Sequence, residues 1–321
     1  MTDEHFNLIS AMNTLARDYL QVSIELERKK STQFLKLLSL LKQKRYKDFF
    51  HKLYLRMVLF FRPLDSKETL YRGIHHDFQY NKEDYELENF FQGEKPKVVI
   101  YSHISNGYDN IKNPVLFNRD YDYVLYTDIP EDQKEYNTIW EWRPIPDTIS
   151  SQGSNNVINR TIKFNPKELF PNHDIAVYID GTIKILSDIT PLIKVALESK
   201  TGLGLHAHMF RDCLYSEAEA CIRLKRGITR NLKTQVEDYQ KEGFPSHFGL
   251  FEASVIISNL NNQIALNLLT EWYNDFCTRG SMRDQLSLPY IIWKNGFSKS
   301  DIGLLGYNID KNPLIKRFAH N

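Results

Sequence analysis

The stretch Asp174–Leu186, DIAVYIDGTIKIL, carries the strongest indication of the fold. An apolar run leads to Asp180, the chain turns at Gly181, and a second apolar run follows. A buried strand that ends on a carboxylate is typical of α/β proteins, which bind metals and diphosphates at the carboxyl ends of their strands. A polar residue that only caps a tight turn explains the same pattern equally well. Both interpretations of Asp180 stay open on this stretch alone.

The composition predicts a globular protein of one large domain with an appendage. The chain has 321 residues, of which 42% are hydrophobic and 13% aromatic. A formal net charge of +1 argues against a general nucleic-acid binder, which would usually be strongly basic. The three cysteines form no C-x-x-C pair and are expected to be reduced thiols in the cytoplasm. The sequence gives no indication of a signal peptide or of an apolar run long enough to span a membrane.

Two further apolar runs before the opening stretch predict strands of a parallel sheet. Val98–Tyr101 is the first and Tyr121–Tyr126 the second, and a polar loop follows each of them. A third run, Ser254–Ser258, predicts another strand later in the chain. We expect the carboxyl edge of this sheet to bind a ligand. Asp128 could accept a hydrogen bond from a base or a ribose there, and a residue that only forms the turn is the alternative.

Cationic and aromatic side chains at helical spacing suggest a polar pocket. Arg160 and Lys163 lie three residues apart in a predicted helix and would share one face, where they could clamp a diphosphate. A solvated surface pair explains them as well. A second predicted helix over 206–226 would stack His208, Arg211 and Tyr215 along one face, as a wall of the pocket.

Asp284 allows two interpretations. Together with Ser281 it forms a capping-box pattern for a helix predicted from Met282 to Trp293. The alternative places Asp284 and Gln285 at the positive end of that helix, facing a sugar.

The first part of the chain differs in composition from the rest. Residues 1–63 have helical periodicity, and residues 28–62 contain eleven Lys or Arg against the single acid Asp48. Such a basic amphipathic stretch suits an anionic membrane surface or a partner protein, and a helical hairpin packed on the main domain with a solvated basic face is the alternative. We predict a helical basic appendage and linker over 1–90 and a main domain over 95–321.

Five motifs taken together resemble the TOD/MUCI glycosyltransferase-like domain family. The resemblance covers roughly residues 95–300. The motifs are YVLYTD at 123–128, YIDGTIKI at 178–185, HMFRDCLYSEA at 208–218, YQKEG at 239–243 and RDQLSLPY at 283–290.

The resemblance implies a GT-A type, Rossmann-like fold, with a mostly parallel sheet flanked by helices and the donor at the strand ends. Such enzymes hold Mn²⁺ or Mg²⁺ with an Asp-x-Asp motif, which here corresponds to Asp180-Gly181-Thr182 and lacks its second acid. His320 would supply a further metal ligand. RDQLSLPY is similar to the Asp-Gln motif of glycogenin-like retaining transferases, which implies catalytic roles for Asp284 and Gln285 and retention of configuration.

The implied function is transfer of a sugar from a nucleotide-diphospho-sugar to a glycan or lipid-linked glycan, in polysaccharide biosynthesis, by a cytoplasmic enzyme that associates with the inner face of the membrane. A catalytically inactive glycan-binding or scaffolding module of the same fold is the alternative. The residues expected to bind the donor are Tyr101, Ser102, Asp128, Arg160, Lys163 and Asp180. Those expected in the donor or acceptor pocket are His208, Arg211, Tyr215 and Glu252.

Overall fold

A computed structural model describes residues 80–130, 133, 138–151 and 153–318, together with 46, 50 and 53. Most of the predicted appendage over 1–90, including nearly all of its basic stretch 28–62, lies outside the described residues, and so does His320. The predicted membrane or partner contact of the appendage and its boundary with the main domain therefore stay predictions. No helix among the described residues combines the length and the apolarity that crossing a bilayer requires.

Strands and helices alternate along the described chain. The strands are β1 (Val98–Ile104), β2 (Asp122–Thr127), β3 (Glu141–Pro144), β4 (Ile175–Ile179), β5 (Ile183–Ile185), β6 (Leu203–Ala207), β7 (Phe251–Asn259), β8 (Gly303–Gly306) and β9 (Ile315–Arg317). The α-helices are α1 (Asp147–Ser150), α2 (Asn155–Phe164), α3 (Pro166–Leu169), α4 (Thr190–Glu198), α5 (Leu214–Arg223), α6 (Thr229–Lys241), α7 (Gln263–Arg279) and α8 (Ser287–Lys294). This alternation produces a layered α/β domain.

Seven strands form the central sheet, in the order β3-β2-β1-β4-β7-β6-β8. β7 pairs antiparallel with both β4 and β6, and the other neighbouring strands pair in parallel. β5 and β9 form a separate antiparallel pair. The predicted mostly parallel sheet flanked by helices is therefore confirmed.

Both faces of the sheet are buried, which explains why the strands are apolar without alternation. On one face Val99 and Tyr178 pack in a core that includes residues of α2, α5, α6, α7 and α8. On the other face Val98 and Val177 pack with α4 and with the β5–β9 pair. The apolar runs predicted to be strands are strands here, although β1 and β7 extend further than the sequence indicated.

Two predicted helices differ from the observed ones. The predicted helix over 206–226 is wrong in its first half, because His206 belongs to β6 and residues 208–213 form a loop before α5 begins at Leu214. The prediction assumed that the polar residue His206 lies on a helix surface. In the structure His206 is fully buried in the sheet, and its Nε2 lies 2.9 Å from Asn312 Nδ2. The predicted helix from Met282 begins later, with a single 3₁₀ turn over Asp284–Leu286 followed by α8.

Candidate functional site

Polar side chains from separate strands meet at one edge of the sheet. The parallel strands β2, β4 and β6 end there, and they are followed by Asp128, Asp180 and His208. Because β7 runs in the opposite direction, its first residues, including Glu252, lie at the same edge. The order of the strands changes direction between β1 and β4, which is where ligands bind in open α/β sheets. This edge is the candidate functional site.

The turn after β4 is fixed on both sides. The Asp180 amide donates to the carbonyl of Ser254 on β7 at 2.9 Å, and the Ile183 amide donates to the Asp180 carbonyl at 2.8 Å. A Cβ at Gly181 would lie 2.9 Å from the Ile104 side chain, so a larger residue does not fit without movement. Thr182 is 5% exposed, so an acid there would be a buried charge. Close packing therefore accounts for the missing second acid of the Asp-x-Asp pattern.

A buried cluster joins α2 to the 3₁₀ turn before α8. The Asp284 carboxylate accepts hydrogen bonds from Arg160 Nη2 and Lys163 Nζ, both at 3.1 Å. Asp284 is only 4% exposed. Burial acts to raise the pKa of this carboxyl, but Arg160 and Lys163 outweigh it and lower the pKa well below its usual range. Asp284 is therefore an anion held by two cations, and the predicted capping role for it is wrong.

A second group of polar residues connects that cluster to the ends of β1 and β4. Arg160 Nη1 donates to Asn159 Oδ1 at 3.2 Å, and because a guanidinium only donates, the amide nitrogen of Asn159 must face the other way. That nitrogen donates to the Tyr178 hydroxyl at 3.2 Å and lies 3.1 Å from His103 Nδ1. Burial lowers the pKa of His103 to about 4, so the ring is neutral and accepts through Nδ1.

Sequence reasoning missed His103, Asn159 and Tyr178 as part of the site. One signal was available, because a histidine in the otherwise apolar strand VVIYSHI is a buried polar residue that needs a partner. The partner of His103 is Asn159 on α2, which is 56 residues away in the chain, so local sequence patterns cannot identify it. Asp180 is coupled electrostatically to this group. Burial raises the pKa of Tyr178, and the charge of Asp180 adds to the shift. Burial acts to lower the pKa of Arg160, but Asp284, with a smaller contribution from Asp180, raises it.

A third group of charges lies around His208. Glu217 forms ion pairs with two arginines. Its Oε2 lies 3.1 Å from Arg211 Nε, and its Oε1 lies 3.5 Å from Arg283 Nη2. His208 Nε2 is 3.8 Å from both Glu217 Oε2 and Glu252 Oε1. Burial lowers the pKa of His208 to about 4. The predicted pocket residues His208, Arg211 and Glu252 are thus in one polar network, but not through the helical spacing that suggested two of them.

Glu252 differs from the other acids in this network. Its Oε2 lies 3.6 Å from Arg317 Nη1, and Arg317 is held by Asp310 at 2.9 and 3.0 Å. Burial raises the pKa of Glu252, with the charges of Asp310 and Asp180 adding to the shift and Arg317 opposing it. Glu252 and Asp180 therefore lie close enough to sense each other's charge.

The remaining predicted site residues have structural contacts. Tyr101 and Ser102 are 1% and 0% exposed inside the sheet, and the Tyr101 hydroxyl donates to the Lys163 carbonyl at 2.9 Å. They are core residues, and their predicted contact with a donor stays a prediction. Asp128 accepts from the Asn106 amide at 2.8 Å, which ties the ends of β1 and β2 together. The Tyr215 hydroxyl donates to the Phe244 carbonyl at 2.6 Å.

Gln285 is oriented by contacts on both sides of its amide. Its Nε2 donates to the Phe251 carbonyl at 2.7 Å, and its Oε1 accepts from Arg283 at 3.1 Å. These bonds connect the 3₁₀ turn that carries Asp284 to the first residue of β7. Gln285 therefore lies between the Asp284 cluster and the network around His208.

Two of the motifs behind the family resemblance pack on each other. Tyr239 on α6 and Tyr290 on α8 stack with ring centroids 3.9 Å apart, and the Tyr239 hydroxyl donates to Asp275 on α7. Gly243 ends this segment with φ of +87°, a conformation that glycine adopts without strain. The YQKEG and RDQLSLPY motifs thus hold together the helices that position Asp284.

The predicted metal site is defined by Asp180 alone, because His320 lies outside the described residues. In the part of the chain that the structure describes, no group of three or more His, Cys, Asp or Glu side chains is arranged to hold a metal ion. Mg²⁺ in nucleotide sites is bound by one or two carboxylates, with phosphates and water completing its shell. A half-buried carboxylate at the strand end, such as Asp180, fits that smaller requirement.

The chain belongs to the family described as "TOD1/MUCI70, glycosyltransferase-like domain", whose match spans residues 75–320. The matched span contains all the residues of the candidate site that the structure describes. A search of curated protein sequences gave no match.

Several solved glycosyltransferase structures are similar to this chain at low identity. The bifunctional glycosyltransferase WbbM is 12% identical, with a TM-score of 0.40 over 62% of this chain and 38% of WbbM. The galactosyltransferase LgtC, solved with donor and acceptor sugar analogues, is 14% identical with a TM-score of 0.39, over 65% of this chain and 73% of LgtC. Mouse xyloside xylosyltransferase 1 is 9% identical with a TM-score of 0.38, over 62% and 83%. The chain thus spans well under half the length of WbbM.

Proposed function

We propose that this protein is a glycosyltransferase that moves a sugar from a nucleotide-diphospho-sugar to a glycan or a lipid-linked glycan. One observation carries the proposal: in a chain of a glycosyltransferase-like family, Asp180 lies at the switch point of the sheet, within the electrostatic reach of Arg160. Sugar transfer breaks the bond between the anomeric carbon and the diphosphate, and negative charge accumulates on the departing phosphate. A preorganised site of mixed charge at this edge suits that requirement.

Asp180 would hold Mn²⁺ or Mg²⁺ together with the phosphates of the donor. A divalent ion bound there supplies charge neutralisation for the leaving diphosphate. His320 stays a predicted second ligand. The hydrogen bonds of this turn fix the backbone of Asp180 at the strand end, so the main chain needs little reorganisation when the residue binds.

Asp284 has its clearest role in holding Arg160 and Lys163 in place beside Asp180. Its carboxylate is engaged by both cations, and the lowered pKa keeps it ionised over the whole physiological range. Gln285 connects it to β7, which places this pair between the donor edge and the network of His208, Arg211 and Glu252. We assign that network to recognition of the acceptor or of the donor sugar. The predicted retention of configuration stays a prediction, which NMR of the product anomer tests.

A donor screen tests the proposal. Nucleotide release would be measured for the full chain with a panel of sugar nucleotides, with Mn²⁺, with Mg²⁺ and with a chelator. Asp180→Asn should reduce the turnover of an accepted donor by at least about a hundredfold, which corresponds to roughly 3 kcal/mol of lost charge stabilisation. Asp122→Asn is the matched control, because Asp122 is an exposed strand acid at the opposite edge of the sheet.

A catalytically inactive glycan-binding module is the competing function, and the donor screen on the full chain distinguishes it from a transferase. A folded chain that binds no nucleotide diphosphate and releases no nucleotide from any donor, but retains an oligosaccharide, would favour the module.

A further inference from the structure

The turn between α5 and α6 concentrates positive charge at the protein surface. The segment RLKRGITRNLK, residues 223–233, contains five Lys or Arg and no acid, although the whole chain has a formal net charge of only +1. Arg223 pairs with Glu219, and Lys225 has a contact of its own. The other three cations and one apolar residue are exposed, and we call these four the basic turn: Arg226, Ile228, Arg230 and Lys233.

The charges of the basic turn are not neutralised by the chain. Arg226, Arg230 and Lys233 form no ion pair within the part of the chain that the structure describes. The first turn of α6 carries no acid, so the amino terminus of this helix adds partial positive charge at the same place. The turn therefore attracts an anionic partner.

An apolar side chain lies between these cations in the chain. Ile228 is 48% exposed, although it is a large aliphatic residue. It occupies the N-cap position of α6, where Ser, Thr, Asp and Asn are preferred, and it makes no side-chain hydrogen bond there. The helix itself would favour a polar residue at this position. The exposed isoleucine therefore has no explanation in the local structure.

Hydrogen bonds hold the basic turn against the loop that follows α7. The Ile228 amide donates to the Ser281 carbonyl at 3.1 Å. Asn231 Nδ2 donates to the Gly280 carbonyl at 3.0 Å. The backbone that carries Ile228 is therefore fixed in its exposed position, and little conformational entropy is lost when a partner binds.

The basic turn lies close to the network around His208. Ser281, which accepts from the turn, is two residues before Arg283 in the chain. Arg283 Nη2 lies 3.5 Å from Glu217 Oε1 in that network. A partner docked on the basic turn would therefore lie close to the side chains that we assign to recognition of a sugar.

We propose that the basic turn docks on the anionic surface of a lipid bilayer. Its three cations are attracted to acidic headgroups, and Ile228 enters the boundary between headgroups and acyl chains. A nucleic acid would bind the cations but would leave the isoleucine in water. The docking itself does not depend on the proposed function. A consequence that does rest on the proposed function is a lipid-linked acceptor, since the bilayer then lies beside the sugar-binding network.

Co-sedimentation of the full chain with vesicles of phosphatidylcholine and phosphatidylglycerol tests the docking. Arg226→Gln combined with Arg230→Gln should weaken binding about thirtyfold, because each cation near an anionic bilayer contributes about 1 kcal/mol. Arg226→Lys combined with Arg230→Lys keeps both charges and should stay within about threefold of the original chain. Binding should fall as salt is added, and vesicles of phosphatidylcholine alone should bind much more weakly.

Ile228→Ser separates insertion from the attraction of charges. Burial of about half of an isoleucine side chain contributes about 1 kcal/mol, so this variant should bind the same vesicles about fivefold more weakly. Serine is a preferred N-cap residue, so the substitution should not destabilise α6. Thermal unfolding followed by circular dichroism checks that the variant keeps its stability, so that a loss of binding reports on the side chain.

Phe117→Ser combined with Arg119→Gln is the matched control. Phe117 is 41% exposed and Arg119 is also exposed, so they offer the same two kinds of side chain. They precede β2, however, and the acids Asp120 and Asp122 follow them. Their replacement should leave vesicle binding unchanged, and a loss equal to that of the double arginine variant would overturn the proposal.

The basic stretch 28–62 is the same in every variant, so a difference between variants reports on the turn. Unchanged vesicle binding in both Ile228→Ser and the double arginine variant would overturn the proposal. A double arginine variant that loses affinity for a single-stranded RNA or an acidic peptide, and keeps its affinity for vesicles, would assign the turn to that partner instead.

A donor assay on the same variants separates this proposal from the proposed function. Vesicle binding that needs the basic turn, without turnover of any donor, supports the docking and contradicts the proposed function. Donor turnover in a chain whose vesicle binding does not depend on the turn supports the function and contradicts the docking.

Discussion

The Asp284 cluster and the network around His208 lie on either side of Gln285, and their charges are arranged differently. In the first, two cations and one buried anion compensate each other. In the second, Arg211 and Arg283 lie 3.1 and 3.5 Å from Glu217, and the His208 ring lies 3.8 Å from both Glu217 and Glu252. The first arrangement depends on a single anion, whereas the second combines several charges with a histidine whose pKa burial lowers to about 4. The comparison teaches that one substitution should disrupt the first group, whereas a change of pH should act on the second.

The largest effect is expected from Asp284→Asn. This change leaves Arg160 and Lys163 buried without their anion, and breaking one partner of a buried ion pair costs about 3–5 kcal/mol. Urea denaturation would measure the loss in the free energy of unfolding. Asp120→Asn is the control, because the Lys95–Asp120 pair is 69% and 64% exposed and surface pairs contribute at most about 1 kcal/mol.

A destabilisation by Asp284→Asn no larger than that of Asp120→Asn would show that the Asp284 cluster is not a structural element. The double variant Lys163→Met with Asp284→Asn should be more stable than Asp284→Asn alone, since one unpaired buried charge is gone. Non-additivity of the two substitutions is the direct measure of their interaction.

Acid should destabilise the protein in two separate windows. His103 and His208 have pKa values of about 4 in the folded protein because they are buried, whereas an unfolded chain binds these protons near pH 6.5. Stability therefore falls as pH drops from 6.5 to 4, by up to about 3 kcal/mol for each histidine. The lowered pKa of Asp284 acts in the other window, where its contribution is present above about pH 4 and lost below it.

Thermal unfolding between pH 4 and 7 measures the first window. The double variant His103→Gln with His208→Gln should flatten the dependence of stability on pH in that range. An equally steep dependence in the double variant would show that other groups are responsible.

Gly181→Ala is expected to have an intermediate effect. The added Cβ would lie 2.9 Å from two atoms of the Ile104 side chain and 3.2 Å from Asp109 Cβ. Overpacking of this kind costs about 1–3 kcal/mol.

Ile104→Val removes one of the two crowded carbon atoms and serves as the control. Added to Gly181→Ala, it should recover part of the lost stability in urea denaturation. If Ile104→Val only adds its own cost, the contact with Ile104 does not limit position 181.

The sequence predicted the sheet well because its strands are short apolar runs between polar loops, and that signal is local. It also predicted that Asp128, Asp180 and Glu252 belong to a site, and these residues meet at one edge. The sequence could not predict the partners of Asp284, because Arg160 is 124 residues away in the chain. Spacing alone suggested a diphosphate clamp for Arg160 and Lys163, but only the fold reveals the carboxylate between them.

Long-range pairing also explains why the sequence gave no indication of the contacts of Lys112, Lys184 and Lys316. Lys184 and Lys316 are 132 positions apart in the sequence, and only the register of the β5–β9 pair places them opposite each other. Lys112 lies in a loop rich in Asn, Gly and Asp that gave no indication of its contact with Gly181. His208 and Arg211 were predicted to share a helix, and they instead share a loop in which the Arg211 amide donates to His208 Nδ1 at 3.0 Å. The two residues are therefore in contact, but through a loop and not along a helix.

The smallest effect is expected in the β5–β9 pair, where Lys184 lies directly opposite Lys316. Lys184→Met removes one of two like charges, and relief of their repulsion should stabilise the protein by about 0.2–1 kcal/mol. Differential scanning calorimetry should therefore give a higher Tm for Lys184→Met than for the original chain. A lower Tm would mean that Lys184 stabilises the fold through its other contacts, and the argument from repulsion would then fail.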